Sequence, residues 1–142
     1  MKNCVAASVS DLEAGIFCGL SVRFFKTLKG WPVSIARADF PENTSFPYGM
    51  HKKTAEFVYV IKGEAKAYLG DKSFNVGGGG YLWIPAGVRH RFVTGREPMA
   101  ALSVFCPPMT FDNLDAAPCG NGKAGTKTRS GRNGKKRGRK KR

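Results

Sequence analysis

Between Ile16 and Phe105 the chain is cut into short apolar stretches by Gly, Pro, Asn and Asp, and that punctuation limits it to short strands. No run keeps a 3.6-residue period long enough to make an ordinary helix. Ile16–Phe25, Val33–Phe40, Ala55–Lys62, Glu64–Leu69, Lys72–Val76, Tyr81–Ile84, His90–Thr94 and Ala100–Phe105 read as strands, a set that suits a sandwich or small barrel. The joints agree. Lys62-Gly63 and Gly70-Asp71 offer the positive φ of tight hairpins, and Pro85-Ala86-Gly87 ends one strand because Pro cannot donate in a ladder. Gly77–Gly80 reads as a flexible turn rather than a phosphate cradle, since neither Lys-Ser/Thr nor a helical pattern follows it. Upstream, Ser10-Asp11-Leu12-Glu13 has the makings of a cap for one helical turn.

Parity along the strands singles out a few polar groups. In Ala55–Lys62, Glu56 shares a face with Val58 and Val60, while Phe57, Tyr59 and Ile61 share the other. Both faces are apolar enough to predict a strand covered on both sides. Glu56 then lies beside the core, where a carboxylate is costly unless it is paired or bound. The same parity groups His90 with Phe92. A carboxylate and an imidazole on otherwise apolar strands are the first sign of a site.

The spacing of these residues resembles the two motifs of the cupins, G-x5-H-x-H-x3–4-E-x6-G and G-x5-P-x-G-x2-H-x3-N. Glu56-x6-Gly63 matches the end of the first, and His51 stands at its second histidine, four residues before Glu56. The second is matched by Gly79, Pro85, Gly87 and His90, with Thr94 where the family has Asn. The resemblance covers Val33 to Pro108. It implies an all-β fold: a single antiparallel cupin β-barrel of the jelly-roll, or double-stranded β-helix, type, over residues 1–118.

The resemblance also implies a site. Carried over position by position, the family's metal ligands become His51, Glu56 and His90. Gly49 stands at the first histidine position and cannot ligate. These are the only two histidines in the chain, so no other imidazole completes the set. Two imidazoles and a carboxylate can hold a divalent ion on one face, as in non-haem iron sites and three-ligand zinc sites. Fe, Mn, Ni and Zn are the candidate ions. The alternative is a metal-free pocket in which Glu56 and His90 pair or bind a polar ligand while His51, beside Lys52 and Lys53, lies on an exposed loop. Arg37, Tyr48, Met50, Trp83 and Phe92 are the further candidates for the pocket wall. Four of them also have a plainer place: Trp83 and Phe92 in the core, Arg37 paired with Asp39 or a surface acid, Tyr48 packed on its loop.

The charge belongs elsewhere. Of 24 Lys and Arg, eleven fall in 119–142 with no acid, so the net charge of +14 leaves residues 1–118 only slightly basic. That near-balance argues against a nucleic-acid face on the barrel. Residues 119–142, made almost entirely of Gly, Lys, Arg, Ser, Thr and Asn, cannot repay the entropy of ordering, which predicts a disordered tail whose natural partner is any polyanion. Nonspecific nucleic acid, an anionic surface, an import signal in Lys135–Arg142 and no selected role all remain open for it. Four scattered cysteines form no CxxC pair and predict free thiols, with Cys106 a small buried apolar residue. No apolar run has the length of a signal sequence or membrane span, so the expected setting is the cytoplasm, without a membrane.

Two functions follow from the resemblance: a metal-dependent enzyme of the dioxygenase, isomerase, epimerase or lyase class acting on a small polar molecule, or a non-catalytic small-ligand-binding module. The resemblance also implies a homodimer, since small cupins commonly pair through sheet edges; the apolar outward face of Phe57, Tyr59 and Ile61 suits a dimer interface or a second sheet equally well. A nucleic-acid-associated protein with the barrel as accessory is the third and weakest reading.

Overall fold

The structure, a computed structural model, describes residues 4–27 and 29–116. The basic segment 119–142, and with it the expected domain end at Pro118, lies outside them. Among the described residues nine strands follow one another: β1 Gly15–Phe17, β2 Leu20–Phe24, β3 Ser34–Phe40, β4 Ala55–Lys62, β5 Glu64–Leu69, β6 Lys72–Gly77, β7 Tyr81–Ile84, β8 His90–Thr94 and β9 Met99–Cys106. A single 3-10 turn, Val9–Asp11, precedes them. Its cap is Ser8, bonded reciprocally with Asp11, two residues ahead of the position expected from Ser10. No helix among the described residues is long and apolar enough to cross a membrane.

All pairings are antiparallel, in a six-stranded sheet of order β1-β2-β3-β9-β4-β7 and a three-stranded sheet of order β6-β5-β8. This is the expected all-β jelly-roll barrel. The expected first strand is two strands, because Cys18 and Gly19 both take positive φ and fold β1 back on β2. Alternation decides what goes inside. On β4, Glu56, Val58 and Val60 face in; with Ile84 and Met99, Val58 and Val60 are almost wholly buried. Each such side chain contributes about 1.5–3 kcal/mol relative to exposure.

Among the described residues nothing covers the outward face of β4, where the sequence predicts a cover. Tyr59 and Ile61 stay more than two-fifths exposed, beside Tyr81 and Trp83 of the neighbouring β7. Gly77–Gly80 is a hydrogen-bonded turn rather than a loose one: Gly79 N–H donates to Val60 O at 2.8 Å, and Val60 N–H to Gly80 O at 2.9 Å. Gly63 is required at its own turn, since a Cβ there would overlap the Pro98 carbonyl.

Two connections shape the end of the barrel that carries the polar groups. Residues 41–54, between β3 and β4, run alongside β8 and extend its ladder through Thr94 N–H to Thr44 O, Phe46 N–H to Phe92 O, and reciprocal bonds between Gly49 and His90. Residues 107–116 leave β9 and cross back over β1 and β2. Ser34 Oγ donates to Met109 O (2.6 Å), Phe111 meets Phe24 edge-on (5.0 Å), and Phe111 lies so close to Gly15 that a Cβ there would overlap its ring. Cys4 and Cys106 are free and exposed, so Cys106 is not the buried residue expected of it. Cys18 is disulfide-bonded, against the expectation of free thiols.

Candidate metal centre

Three polar side chains meet inside the barrel, one from each of three elements. Glu56 comes from the inward face of β4, His90 from the start of β8, and His51 from the 41–54 connection. His51 and Glu56 are buried and the His90 side chain nearly so, and one ligand-type atom of each lies within 4.8 Å of the others. His51 Nε2 is 3.4 Å from Glu56 Oε2, and His90 Nε2 is 3.6 Å from the same oxygen. His51 therefore belongs to the cluster, not to an exposed loop.

The other nitrogen of each ring is already engaged. His51 Nδ1 lies 2.6 Å from Asp115 O, and His90 Nδ1 lies 2.9 Å from Val88 O. A carbonyl oxygen only accepts, so both Nδ1 atoms carry the proton and donate it. Each neutral ring then turns the lone pair of Nε2 toward the carboxylate. Three acceptors facing one another in a buried space repel unless a proton or a cation stands among them. This donor set fits a divalent ion, and the Nδ1 bonds are the outer contacts that ligand histidines usually make.

Without an ion, a proton takes that role. Burial works to lower the His51 pKa, but the hydrogen bond and negative charge of Glu56, helped by Asp115, outweigh it and hold the imidazole above its ordinary value. Burial likewise works to raise Glu56. Its hydrogen bond to His51, the charges of His90 and His51 and a hydrogen bond from Ser103 bring it below the ordinary value instead. An imidazolium–carboxylate pair is the expected metal-free state.

The supporting residue that sequence reasoning missed is Asp115. Its carboxylate accepts from the backbone N–H groups of Lys53 (2.6 Å), Thr54 (2.8 Å) and Lys52 (3.2 Å), and its own carbonyl holds His51. Those bonds keep the carboxyl below its ordinary pKa, the bond from Lys53 first. No local pattern marks Asp115, because its partners lie more than sixty residues earlier. Gly87 also joins the motifs: with φ at 83° it turns the chain ahead of His90, and its N–H donates to His51 O at 2.7 Å.

Beside the cluster is a cavity of about 110 Å³. Met50 and Phe92 line it. Three other candidates for the wall are placed elsewhere. Arg37 alternates with the buried Ala36 and Ala38, so it points away from the barrel and binds Asp39 at 3.0 Å. Trp83 alternates with buried Leu82 and Ile84 and is more than half exposed. Tyr48 is held between the guanidinium groups of Arg89 (4.5 Å) and Arg91 (4.8 Å). Thr94, at the family's Asn position, braces the connection that carries His51. Its hydroxyl donates to Pro41 O (2.6 Å) and accepts from Thr44 N–H (3.1 Å).

Comparison with known proteins bears on this geometry. Residues 36–105 match the family model described as the cupin domain. An uncharacterised protein of Streptomyces coelicolor is 36% identical over 53 residues, 37% of this chain, which spans 50% of that relative's length. Among solved structures, Streptomyces Pac13, a nucleoside dehydratase, superposes with a TM-score of 0.67 at 14% identity, over 81% of this chain and 90% of that one. Ectoine synthase from P. lautus gives 0.68 at 20%, over 85% and 96%. A predicted oxalate decarboxylase of Thermotoga maritima gives 0.65 at 15%, over 72% and 99%. At such identities these likenesses are likenesses of fold.

Proposed function

Since residues 36–105 form a cupin domain by family match and by fold, we propose that the chain is a small single-domain cupin that holds a divalent metal ion through His51, Glu56 and His90 and acts on a small molecule beside it. The observation that carries this reading is the orientation of the rings: both Nδ1 atoms donate to backbone carbonyls, which leaves both Nε2 lone pairs facing the Glu56 carboxylate. Iron, manganese, nickel and zinc all accept such a donor set. A bound ion of this kind polarises a ligand oxygen or activates water.

The rest of the work falls to the chain itself. Asp115 and Val88 keep the imidazoles in one tautomer. Ser103 orients Glu56, and residues 107–116 shelter the cluster from water, which strengthens every charge inside it. Two of the fold relatives are named as enzymes of small molecules, a nucleoside dehydratase and ectoine synthase, and the dioxygenase, isomerase, epimerase and lyase classes stay open for this chain.

A second reading has its own observation. Gly49 provides no fourth ligand, and the His51–Glu56 pair satisfies itself with a proton, so a metal-free ligand-binding module is the competitor. Elemental mass spectrometry separates them, on full-length protein purified without chelator and reconstituted with each of the four ions. Near-stoichiometric metal that is lost in His90→Ala is the expected result. No metal after any reconstitution overturns the proposal in favour of the second reading.

We extend the proposal to assembly in the cytoplasm as a homodimer. The open outward face of β4 and β7, with Tyr59, Ile61, Tyr81 and Trp83 exposed, is the surface a second copy would cover. Segment 119–142 would attach the dimer to nucleic acid or another polyanion. Trp83→Glu should shift the sedimentation coefficient from dimer to monomer; a monomeric parent protein would remove this extension.

A further inference from the structure

The cavity next to the cluster is apolar on almost every side. Phe24, Phe46, Phe105, Met109, Phe111 and Leu114 are among its walls. Five of its lining residues carry polar side chains apart from Cys18: His51, Glu56, His90, Arg91 and Ser103. Two of those are otherwise engaged. Arg91 alternates with His90 and Phe92 along β8, so its side chain leaves the barrel interior. Its guanidinium stacks on Tyr48 (4.8 Å) and Tyr68 (4.7 Å) and donates to Ser45 Oγ, its buried Nε having no partner among the described residues, while Ser103 hydrogen-bonds Glu56. What remains is one polar pole, the cluster itself, at one end of a greasy chamber.

Such a chamber discriminates by what it cannot satisfy. Each hydroxyl or carboxylate of a bound molecule that reached the walls would lose its water and find no partner. A sugar or a dicarboxylate is therefore a poor occupant. Size sets a second limit: the cavity is about 110 Å³ with the open space beside Gly49 included, somewhat less than the roughly 150 Å³ of an apolar cavity that takes up benzene, so one small ring is the upper bound. A Cβ at Gly49 would meet nothing within 4 Å. Because Gly49 and His90 are a directly opposed, doubly hydrogen-bonded pair, that space lies on the His90 side of the sheet.

From this lining we infer that the ligand is a small apolar molecule, one five- or six-membered ring or a branched chain of equal bulk, with a single oxygen-bearing head directed at His51, Glu56 and His90. The inference rests on the reading of that cluster as the working end of the pocket. It replaces the polar molecule expected from the sequence. Residues 107–116 are the part of the wall that makes the difference, since Met109, Phe111 and Leu114 turn an open barrel mouth into an apolar chamber.

Titration calorimetry on the full-length, metal-reconstituted protein tests it with four probes: benzoate, acetate, oxalate and uridine. Acetate has the head without the body, oxalate two heads without a body, and uridine a sugar. Benzoate should bind at least 10-fold more tightly than each of the others. Phe111 and Leu114 are both partly exposed, so a charge there should be tolerated by the fold. Phe111→Asp and, independently, Leu114→Glu should each weaken benzoate at least 10-fold and acetate little. Benzoate no tighter than acetate, oxalate or uridine overturns the inference, as does benzoate binding that neither wall variant changes. Metal content measured on the same samples keeps the two proposals apart. Stoichiometric metal with no preference for benzoate ends this inference alone, while wall-dependent benzoate binding to a protein without metal ends the metal reading alone.

Discussion

His51 and His90 present the same ring nitrogen to the same carboxylate oxygen, yet two different kinds of structure hold them there. His90 starts a strand, and its Nδ1 partner is Val88, two residues away. Its position is set by the β5–β8 ladder and a local bond. His51 sits in a connection between strands, and its Nδ1 partner is Asp115, 64 residues along the chain. Its backbone is tied to the barrel through Gly87 and Gly49, but its ring is oriented by residues 107–116. One half of the site is thus built into the barrel, and the other is assembled by closing a strap over it. Strand-borne groups should keep their geometry under perturbation; loop-borne groups should lose it when their distant anchor is removed.

The largest expected effect comes from the residue both halves share. Glu56→Gln removes the negative charge and should reduce metal affinity by about 100-fold or more, read by competition with a chromogenic chelator. Affinity equal to the parent would mean that the two histidines do not act through Glu56. Next, Asp115→Ala strips the acceptor from three backbone N–H groups and frees the strap. Metal affinity should fall by about 10–100-fold, the usual cost of losing an outer contact. Hydrogen exchange at Lys52, Lys53 and Thr54 should rise while β8 stays protected. Equal deprotection of β8 would erase the contrast between the halves.

Gly49→His sharpens the comparison from the other direction. Gly49 has an ordinary backbone φ, open space at its Cβ, and a hydrogen-bonded pairing that puts its side chain on the His90 side. A histidine there adds a fourth ligand on the 41–54 connection, bridged to His90, and should raise metal affinity by about 10-fold, while shrinking the apolar cavity and weakening benzoate. Unchanged affinity would place Gly49 outside ligand reach.

The smallest effect is in pH. His51 is raised from 6.5, so its contribution to metal-free stability is complete below that value and is lost as pH rises through the raised one. Glu56 is lowered from 4.5, so its contribution is present above that value and is lost as pH falls through the lowered one. The metal-free protein should therefore be most stable between about pH 4.5 and 6.5, with Tm falling by on the order of a few degrees above it. His51→Asn should flatten the alkaline side and also weaken the acid side, because the bond and charge of His51 are among the main causes of the lowered Glu56 pKa. Metal competes with the His51 proton, so affinity should climb as pH rises through the same range.

The contrast between local and distant support also governs what was legible in the sequence. β4, β5, β7 and β8 were readable to the residue because Gly and Pro bound short alternating stretches. The β1–β2 turn was not, since its signal was only Cys18-Gly19, and Cys18 takes a conformation that non-glycine residues seldom adopt. His51, Glu56 and His90 stood out because the spacing within each motif is local. The rest of the pocket depends on pairing across the barrel. Trp83 and Arg37 looked like wall residues until register put Trp83 opposite Phe57 and Arg37 between two buried alanines. Asp115 and the apolar strap were invisible, because contacts across sixty residues leave no spacing to read.

The most direct test is an anomalous diffraction map from crystals of the full-length protein grown with manganese. The expected map has one strong peak within bonding distance of His51 Nε2, His90 Nε2 and a Glu56 oxygen, with both Nδ1 atoms still on the carbonyls of Asp115 and Val88. A map without that peak, with His51 and Glu56 closed on each other, would contradict the metal centre.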